Sequence, residues 1–350
     1  MGNYQALTDQ LYTAWEKTIL EGNLINTFEA SEDDSEGRWS QGDTIIFGVK
    51  HHDNQHIYYA NNLTQSREIQ DAVEEKRIDV DDVNFVCQFN GYRALRPGGY
   101  QRPLGRQPDI PASSDQCRFF CQDRTNSLSL LVRKPLLQVL LKHFTWNAYY
   151  NAAPLETDGH FLWVPTPLND PTGALAHFTQ KLSLEFLEDA FSLFKQLSQT
   201  MLFFNSLHAG ASVNHIHFQA IYHKQSLPVE TLPLIDKGNY ALLDGYPAQL
   251  VVFDINVSAY QIFLWIDWLQ KQNIPFNLMF AGQRIILIPR NIEHEVVSEF
   301  PGSGVAALGM CGKIITVNRL AYLNANQANI KRMFRKMVLA APHFLPDIKF

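Results

Sequence analysis

The chain has 350 residues, of which 46% are hydrophobic and 18% are charged, and its formal net charge is −6. This composition is typical of a globular protein with two domains or one duplicated core, and the acidic balance argues against a dedicated nucleic-acid binder. No apolar run approaches the roughly 20 residues that a membrane helix needs, and the N-terminus lacks the pattern of a secretory signal. Four cysteines are too few for a disulfide framework, so we expect a cytoplasmic protein.

The first part of the chain combines helical and strand patterns. Apolar residues at helical spacing predict a helix over residues 4–20, and the acidic run 29–36 is typical of a solvated loop. Residues 44–49 and 56–60 have strand character, whereas the polar residues 64–81 are expected to be partly helical.

A strand is also predicted at residues 84–90, and the glycine- and proline-rich segment 91–106 that follows it excludes a regular element. Four arginines give this segment a local positive charge: Arg93, Arg96, Arg102 and Arg106. They fit either a solvated surface loop or a phosphate clamp, because guanidinium groups bind two phosphate oxygens at once.

The middle of the chain predicts a hairpin followed by a long helix. Strands are expected at residues 144–150 and 160–164, with turn-forming residues between them, and an amphipathic helix at 175–199. A short strand at 201–205 then leads into a loop of small residues, 208–212.

The second half of the chain resembles the first, which indicates a degenerate internal duplication. Residues 277–289 match residues 151–165 in having an Asn, a Gly, an apolar strand and a final Pro, with Gln283 in the place of His160. The second copy has no His-x-His segment. The helices predicted in this half are residues 258–270 and 326–339.

Polar and apolar residues alternate along residues 211–222. Successive side chains of a strand point to opposite faces, which predicts His215, His217 and Gln219 on one face and an apolar set on the other. Two adjacent imidazoles fit three roles: core histidines with satisfied hydrogen bonds, metal ligands, or a nucleophile.

The metal and the nucleophile make different demands on the rest of the chain. A metal centre on this face needs further ligands, for which Cys117, Cys121 and His160 are the candidates. A nucleophilic imidazole needs only to be neutral, with its tautomer fixed by the neighbouring histidine, and backbone N–H groups in the preceding loop to approach a phosphate.

The segment Ala211-Ser-Val-Asn-His-Ile-His-Phe-Gln219 resembles the His-x-His-x-Gln motif in the transferase branch of the histidine-triad superfamily. Within this branch the chain is most similar to the GDP-L-galactose and GDP-D-glucose phosphorylases. Further segments carry this resemblance: Phe89-Asn-Gly-Tyr-Arg93, Asn151-x-x-Pro154 with Gly159-His-Phe-Leu-Trp-Val-Pro165, Phe204-Asn-Ser-Leu207, Leu227-Pro-Val-Glu230 and Ile274-Pro-Phe-Asn277.

The resemblance implies a role for each residue of the motif. His217 is expected to be the nucleophile that takes up the nucleotidyl group, His215 the histidine that orients it, and Gln219 a donor to the phosphoryl oxygens. The residues expected to bind nucleotide or phosphate are Asn205, Ser206, Gly210, Ser212, Asn151, His160 and Arg93.

The fold implied is α+β, a histidine-triad-like antiparallel sheet with packed helices, duplicated as two related halves. We expect an N-terminal extension (1–83) packed on the core, a catalytic half (84–235) and a degenerate second half (236–350).

The function implied is a phosphorylase that splits a GDP-hexose with inorganic phosphate through a covalent nucleotidyl-histidine. No cofactor, catalytic metal, nucleic acid or membrane partner is expected, and the oligomeric state, a homodimer included, stays open. The same chemistry fits a diadenosine tetraphosphate phosphorylase or a hexose-1-phosphate uridylyltransferase. From other classes, a non-catalytic nucleotide-binding protein and a metal-dependent hydrolase are the alternatives.

Overall fold

The computed structural model describes residues 5–20, 46–50, 56–59, 73–90, 93, 102–123, 130, 135–151, 155–156, 159–168, 176–222, 225–302 and 304–339. The predictions for the acidic run 29–36, for residues 64–72 and for Arg96 lie outside these ranges.

The helices are α1 (Gln5–Leu20), α2 (Leu184–Gln196), α3 (Pro228–Thr231), α4 (Ala259–Lys271), α5 (Ala307–Met310), α6 (Arg319–Asn324) and α7 (Gln327–Met337). The strands are β1 (Ile46–Lys50), β2 (His56–Tyr59), β3 (Val73–Val80), β4 (Val83–Asn90), β5 (Leu137–Leu140), β6 (Phe144–Tyr150), β7 (His160–Pro167), β8 (Thr200–Asn205), β9 (Phe218–Tyr222), β10 (Leu234–Asp236), β11 (Ala241–Leu243), β12 (Val251–Asp254), β13 (Phe276–Ala281), β14 (Arg284–Pro289) and β15 (Lys313–Thr316). None of the described helices combines the length and apolar character that a bilayer crossing requires.

The predicted helices are confirmed, and α2 is shorter than its pattern predicted. It begins at Leu184 because Ser183 has extended backbone angles and its hydroxyl accepts a hydrogen bond from the Phe186 N–H at 3.4 Å. This N-cap satisfies one of the free N–H groups of the first turn.

The helical expectation is wrong for residues 73–80, which form β3. This strand pairs with β4 along its whole length. Ile78 and Val80 reach the core, while the alternating charged residues Glu75, Arg77 and Asp79 are exposed. The pairing and the buried alternate residues outweigh a polar composition that by itself disfavours a strand.

Among the described residues, ten strands form one sheet in the order β10-β11-β12-β14-β13-β8-β9-β7-β6-β5. Every pair of neighbours is antiparallel. The centre of the sheet is the β8–β13 pair, in which Asn205 lies opposite Asn277.

The two halves of this sheet have the same topology, which supports the duplication. In each, three strands form a meander, a helix follows (α2 or α4), and two further strands return with the last one beside the third. By this equivalence, β13 and β14 are the counterparts of β8 and β9 in the other half. The predicted match of residues 277–289 to residues 151–165 is therefore wrong. The turns misled the comparison, because a Gly-containing hairpin ending in Pro occurs in both halves at different places.

The two halves differ most in the link between their last two strands. Residues 206–217 connect β8 to β9, whereas Gly282 and Gln283 alone connect β13 to β14. The segment with both histidines of the motif is thus a long loop that the second half replaces with a tight turn.

The large sheet is the middle layer of three. Helices α1, α2 and α4 cover one face and build a core with residues such as Trp146, Trp163 and Phe218. The other face packs on α7 and on a small sheet in the order β15-β4-β3. A satellite cluster with Cys117, Cys121 and Val213 covers the same face near β7.

The small sheet combines strands from all three predicted segments of the chain. The β15 strand is parallel to β4, and β4 is antiparallel to β3. The division into residues 1–83, 84–235 and 236–350 therefore stays a prediction.

Candidate active site

The histidines of the motif lie at the end of the loop rather than in the strand. The strand begins at Phe218, so the predicted strand 211–222 is confirmed only for its last five residues. The predicted apolar set does enter the core, because Ile216, Phe218 and Ala220 all belong to the helix-covered cluster. The rings of His215 and His217 both contact Phe119, with centroid distances of 5.6 Å and 5.1 Å. That Gln219 shares this face with them stays a prediction.

His217 has a fixed tautomer. Its Nδ1 lies 2.7 Å from the carbonyl oxygen of His215, and a carbonyl only accepts, so Nδ1 carries the proton. The lone pair is therefore on Nε2, which has no hydrogen-bond partner among the described residues. The group that orients the His217 ring is therefore the backbone carbonyl of His215. The sequence had suggested the imidazole of His215 for this role.

The environment of His217 favours the neutral imidazole. Burial lowers its pKa to about 4, and the hydrogen bond to the His215 carbonyl only partly opposes this shift. The ring is 5% exposed, and the half-buried Phe119 ring stands edge-on to it with centroids 5.1 Å apart. The imidazole is thus unprotonated at neutral pH.

Gln219 is held by His160 across the β7–β9 pair. The Nδ1 of His160 accepts from the Leu155 N–H at 3.0 Å, so its Nε2 carries the proton and donates to the Gln219 Oε1 at 2.9 Å. This fixes the amide with its oxygen toward His160 and leaves its NH₂ group free for other partners. Asn151 lies beside this pair, with its Nδ2 3.4 Å from the His160 Nε2.

His215 belongs to a second cluster. The side chains of Cys117, Cys121, His177 and His215 offer four ligand atoms that all lie within 4.8 Å of one another. The Cys117 Sγ is 3.5 Å from the His215 Nδ1, and the Cys121 Sγ is 3.3 Å from the His177 Nδ1. His217 is not a member of this cluster.

The donor set of this cluster fits a structural zinc ion. Two thiols and two imidazoles are a common tetrahedral set for zinc. Burial lowers the pKa of His215 to about 3, which keeps its nitrogen available, and burial with the nearby Cys117 raises the pKa of Cys121 to about 12. A bound cation would favour the thiolates. The cysteines were candidate ligands from the sequence, but His177 was not, and His160 lies with Gln219 instead.

Asn205 and Ser206 lie in a buried network under the loop. The Asn205 Oδ1 accepts from the Asn277 Nδ2 at 2.8 Å and from the Ala307 N–H at 3.1 Å. The Ser206 Oγ accepts from the Phe276 N–H at 2.8 Å. Both side chains face the second half of the molecule, and their predicted contact with nucleotide or phosphate stays a prediction.

The small-residue part of the loop is held from both sides. The Gly210 N–H donates to the Glu295 Oε1 at 3.1 Å, and an Arg118 guanidinium N–H donates to the Ser212 carbonyl at 3.4 Å. Gly210 has a φ of +100°, and a Cβ there would lie 2.7 Å from the Ala306 Cβ. A side chain at this position would push the loop off the segment before α5.

Arg93 follows β4, and its N–H donates to the Asn90 Oδ1 at 3.0 Å. Arg102 is instead paired with Glu295, at 3.4 Å. The phosphate role of Arg93 stays a prediction.

Several residues around the loop were not found from the sequence: Phe119, His177, Gln180, Arg290 and Glu295. Each comes from a segment distant in sequence and has no motif of its own, so no signal along the chain marks it.

The chain is similar to one protein-family model and to several known proteins. Residues 234–346 match the family model described as GDPGP1-like, C-terminal domain. GDP-L-galactose phosphorylase 1 of Arabidopsis thaliana is 26% identical over 213 residues, covering 55% of this chain and 47% of that protein. GDP-D-glucose phosphorylase 1 of Homo sapiens is 28% identical over 201 residues, covering 55% of this chain and 43% of that protein.

The resemblance to the GDP-hexose phosphorylases is confirmed. A further GDP-D-glucose phosphorylase 1, from Xenopus laevis, is 33% identical over 140 residues, or 37% of this chain and 33% of that protein. The chain spans about half the length of the curated GDP-hexose phosphorylases it matches.

Solved structures with the same fold include yeast Ap4A phosphorylase Apa2. Its complex with Ap4A has a TM-score of 0.53 and 14% identity, covering 79% of this chain and 97% of that chain. A structure described without a ligand has a TM-score of 0.54 and 12% identity, covering 97% and 98%. At these identities the likeness shows the fold alone, and the predicted α+β fold with a large antiparallel sheet is confirmed.

Proposed function

We propose that this protein is a nucleotidyl-transferring phosphorylase that splits a GDP-hexose with inorganic phosphate. The observation that carries the proposal is the geometry of His217: a neutral ring, Nδ1–H held by a carbonyl, and an Nε2 with no hydrogen-bond partner in the described part of the chain. The similarity to GDP-hexose phosphorylases supports the choice of substrate.

The first half-reaction forms a covalent intermediate. The His217 Nε2 attacks the α-phosphorus, a P–N bond forms, and the bond from that phosphorus to the bridging oxygen breaks. Hexose 1-phosphate leaves with the electron pair, and a guanylyl group stays on His217. The NH₂ group of Gln219, with its oxygen tied to His160, donates to a non-bridging oxygen and stabilises the developing charge.

The second half-reaction is the same displacement with another nucleophile. An oxygen of inorganic phosphate attacks the guanylyl phosphorus, the P–N bond breaks, and GDP leaves. A glutamine at position 219 can neither take nor give a proton, so it holds the intermediate without activating water. This suits transfer to phosphate over hydrolysis.

The cluster of Cys117, Cys121, His177 and His215 fits a structural zinc ion. Such an ion would contribute only by holding residues in place. It would fix His215, whose carbonyl sets the tautomer of His217. No step of the transfer needs the ion.

The test is the intermediate itself. GDP-glucose labelled with ³²P at the α-phosphate is incubated with the protein in the absence of phosphate, and acid-labile label on the protein is counted. We expect about one label per chain, lost in His217→Asn and retained in the matched control His143→Asn, because the nucleophile must be the imidazole that takes the group. His143 is a partly exposed histidine of the β5–β6 connection that pairs with Glu188 of α2.

Added phosphate should then release the label as GDP. A panel with GDP-galactose, UDP-glucose and diadenosine tetraphosphate tests the substrate class, since all three suit the same attacking group. Absence of label with every one of them would reject the covalent scheme, and tight GDP binding without label would indicate a binding protein instead.

A further inference from the structure

We infer that Asn277, in the second half of the molecule, is a positioning residue that sets the conformation of the 205–210 segment and, through it, the backbone of His217. The kinetic part of this inference rests on the proposed function. The structural part does not.

Asn277 joins the two halves at the centre of the sheet. It is fully buried, and its Nδ2 donates both to the Asn205 Oδ1 at 2.8 Å and to the Ala209 carbonyl at 2.7 Å. One amide thus holds the start of the loop and a point four residues later. The loop bends back over β13 because both of these acceptors must reach the same NH₂ group.

Arg290 fixes the orientation of this amide. Its Nη1 donates to the Asn277 Oδ1 at 2.6 Å and to the Val305 carbonyl at 2.8 Å, and its Nε donates to the Met337 carbonyl at 3.1 Å. A guanidinium has only donors, so the Asn277 oxygen must face it and the NH₂ group must face the loop.

The link continues to His217 through Gln180. The Gln180 Nε2 donates to the Asn205 carbonyl at 2.9 Å, and its Oε1 accepts from the His217 N–H at 3.1 Å. Three side chains therefore connect the guanidinium of Arg290 to the backbone of the proposed nucleophile, and each is buried. A displacement of about 1 Å in a reacting group can reduce a rate by on the order of 100-fold.

The substitution Asn277→Asp changes this link with little change in volume. A carboxylate still accepts from Arg290, but it places an acceptor where Asn205 and Ala209 already offer acceptors, so the loop must move. Asn277→Ser is the second variant, because a hydroxyl on Cβ is too short to span both contacts and brings no added charge. Met279→Ala is the matched control, a buried residue two positions along the same strand and facing the same way.

The measurement is a single turnover with labelled GDP-glucose in the absence of phosphate, which gives a rate constant and an amplitude. We expect Asn277→Asp and Asn277→Ser to form the nucleotidyl-histidine about 10- to 100-fold more slowly, with the amplitude per folded chain unchanged, because positioning acts on the rate. Met279→Ala is expected to lower the amplitude through partial unfolding while its rate constant stays within about threefold of the unsubstituted protein. Equal rate constants in all three variants would overturn the inference.

Hydrogen exchange tests the structural part without any turnover. The Ala209 N–H donates to the Ser206 carbonyl and the Gly210 N–H to Glu295, and both amides should exchange at least ~10-fold faster in the two Asn277 variants than in Met279→Ala. If the loop amides exchange alike in all variants, the inference fails even where label forms on His217. If the loop amides exchange faster in the Asn277 variants and no label forms in the unsubstituted protein, the proposed function fails. The structural part of the inference then stands.

Discussion

Two histidine tautomers decide what the motif offers. The tautomer of His217 places the lone pair of its own ring, and the tautomer of His160 orients the Gln219 amide. At His217 a carbonyl takes the Nδ1 proton, and the lone pair is left on Nε2. At His160 a backbone N–H occupies Nδ1, so Nε2–H must donate and Gln219 must turn its oxygen inward. Two backbone groups thus decide which atoms of the motif are available to a phosphate.

The hydrogen bonds that run from the Leu155 N–H through His160 to Gln219 give a prediction for His160. His160→Phe keeps the volume of the ring but removes both nitrogens, so the Gln219 amide loses the partner that orients it. We expect formation of the nucleotidyl-histidine to slow by about 10- to 100-fold, less than the roughly 100- to 1,000-fold that follows loss of a donor to a developing charge, because Gln219 itself is retained. His160→Gln, whose amide can still donate to Gln219, should lose less.

The rate of label incorporation in the absence of phosphate measures both variants. A full rate in His160→Phe, or an equal loss in the two, would mean that Gln219 does not need His160.

At the scale of elements, the conformation of the loop 206–217 is fixed by contacts with the segments around it. Glu295 and Asn277 of the second half hold its middle, and Arg118 holds the backbone of Ser212. Near the end of the loop, His215 meets Cys117 and Cys121, and His177 from the segment before α2. An ion bound there would hold three separate segments together beside His217.

That cluster predicts bound metal. We expect the purified protein to carry about one zinc ion per chain, and Cys121→Ser to lose it, since a structural site needs its four ligands. Cys87→Ser is the matched control, a buried cysteine in β4 outside the cluster. Elemental analysis gives the metal content, and the unfolding midpoint should fall in Cys121→Ser and on chelation.

A metal-free protein with the same unfolding midpoint in both variants would contradict the zinc assignment. It would leave the role of His217 untouched, because that histidine is not a ligand in the cluster.

At the scale of the whole molecule, charges join parts of the chain that are far apart in sequence. Lys313 of β15 lies 2.6 Å from both Glu75 of β3 and Glu156 of the β6–β7 connection. Burial raises the pKa of Glu75, but the Lys313 charge together with hydrogen bonds from Lys313 and Gln88 outweighs this effect, and the pKa lies below its usual 4.5. The Lys313–Glu75 ion pair therefore links β3 to β15, the two outer strands of the small sheet.

This pair predicts a pH-dependent contribution to stability. A carboxylate with a lowered pKa stabilises the fold above its unfolded pKa, and the contribution is lost as pH falls through the folded value. Glu75→Gln should lower the free energy of unfolding at pH 7 by about 0.5–1 kcal/mol, a modest figure because the carboxylate is half exposed and screened by solvent. At about pH 3, below the ordinary pKa of a glutamic acid, the difference should be smaller than at pH 7, because a protonated Glu75 is uncharged like the glutamine that replaces it.

Denaturant unfolding at the two pH values checks this, with Asp9→Asn, an exposed carboxylate on α1, as the control for a lost charge. An equal effect of Glu75→Gln at both pH values would show that packing, and not the ion pair, is responsible.

The sequence by itself determined the motif and most elements, and it suggested the chemistry that we propose. The spacing of His215, His217 and Gln219 with their apolar neighbours is local, and periodicity along the chain places Phe218 and Ala220 in the core. Residues 73–80 escaped this reasoning because the strand is stabilised by its pairing with β4 and by burial of Ile78 and Val80 in a core whose other members come from distant parts of the chain.

Only the tertiary structure decided which partners complete the site. Asn277 and Glu295 meet the loop through the central β8–β13 pair and the packing of the second half, and Arg290 contacts Asn277. His177 and the two cysteines meet His215 from other segments of the chain. No periodicity encodes these contacts. The physical reason is that a hydrogen-bond partner or a ligand depends on distance in space, whereas the sequence records only distance along the chain.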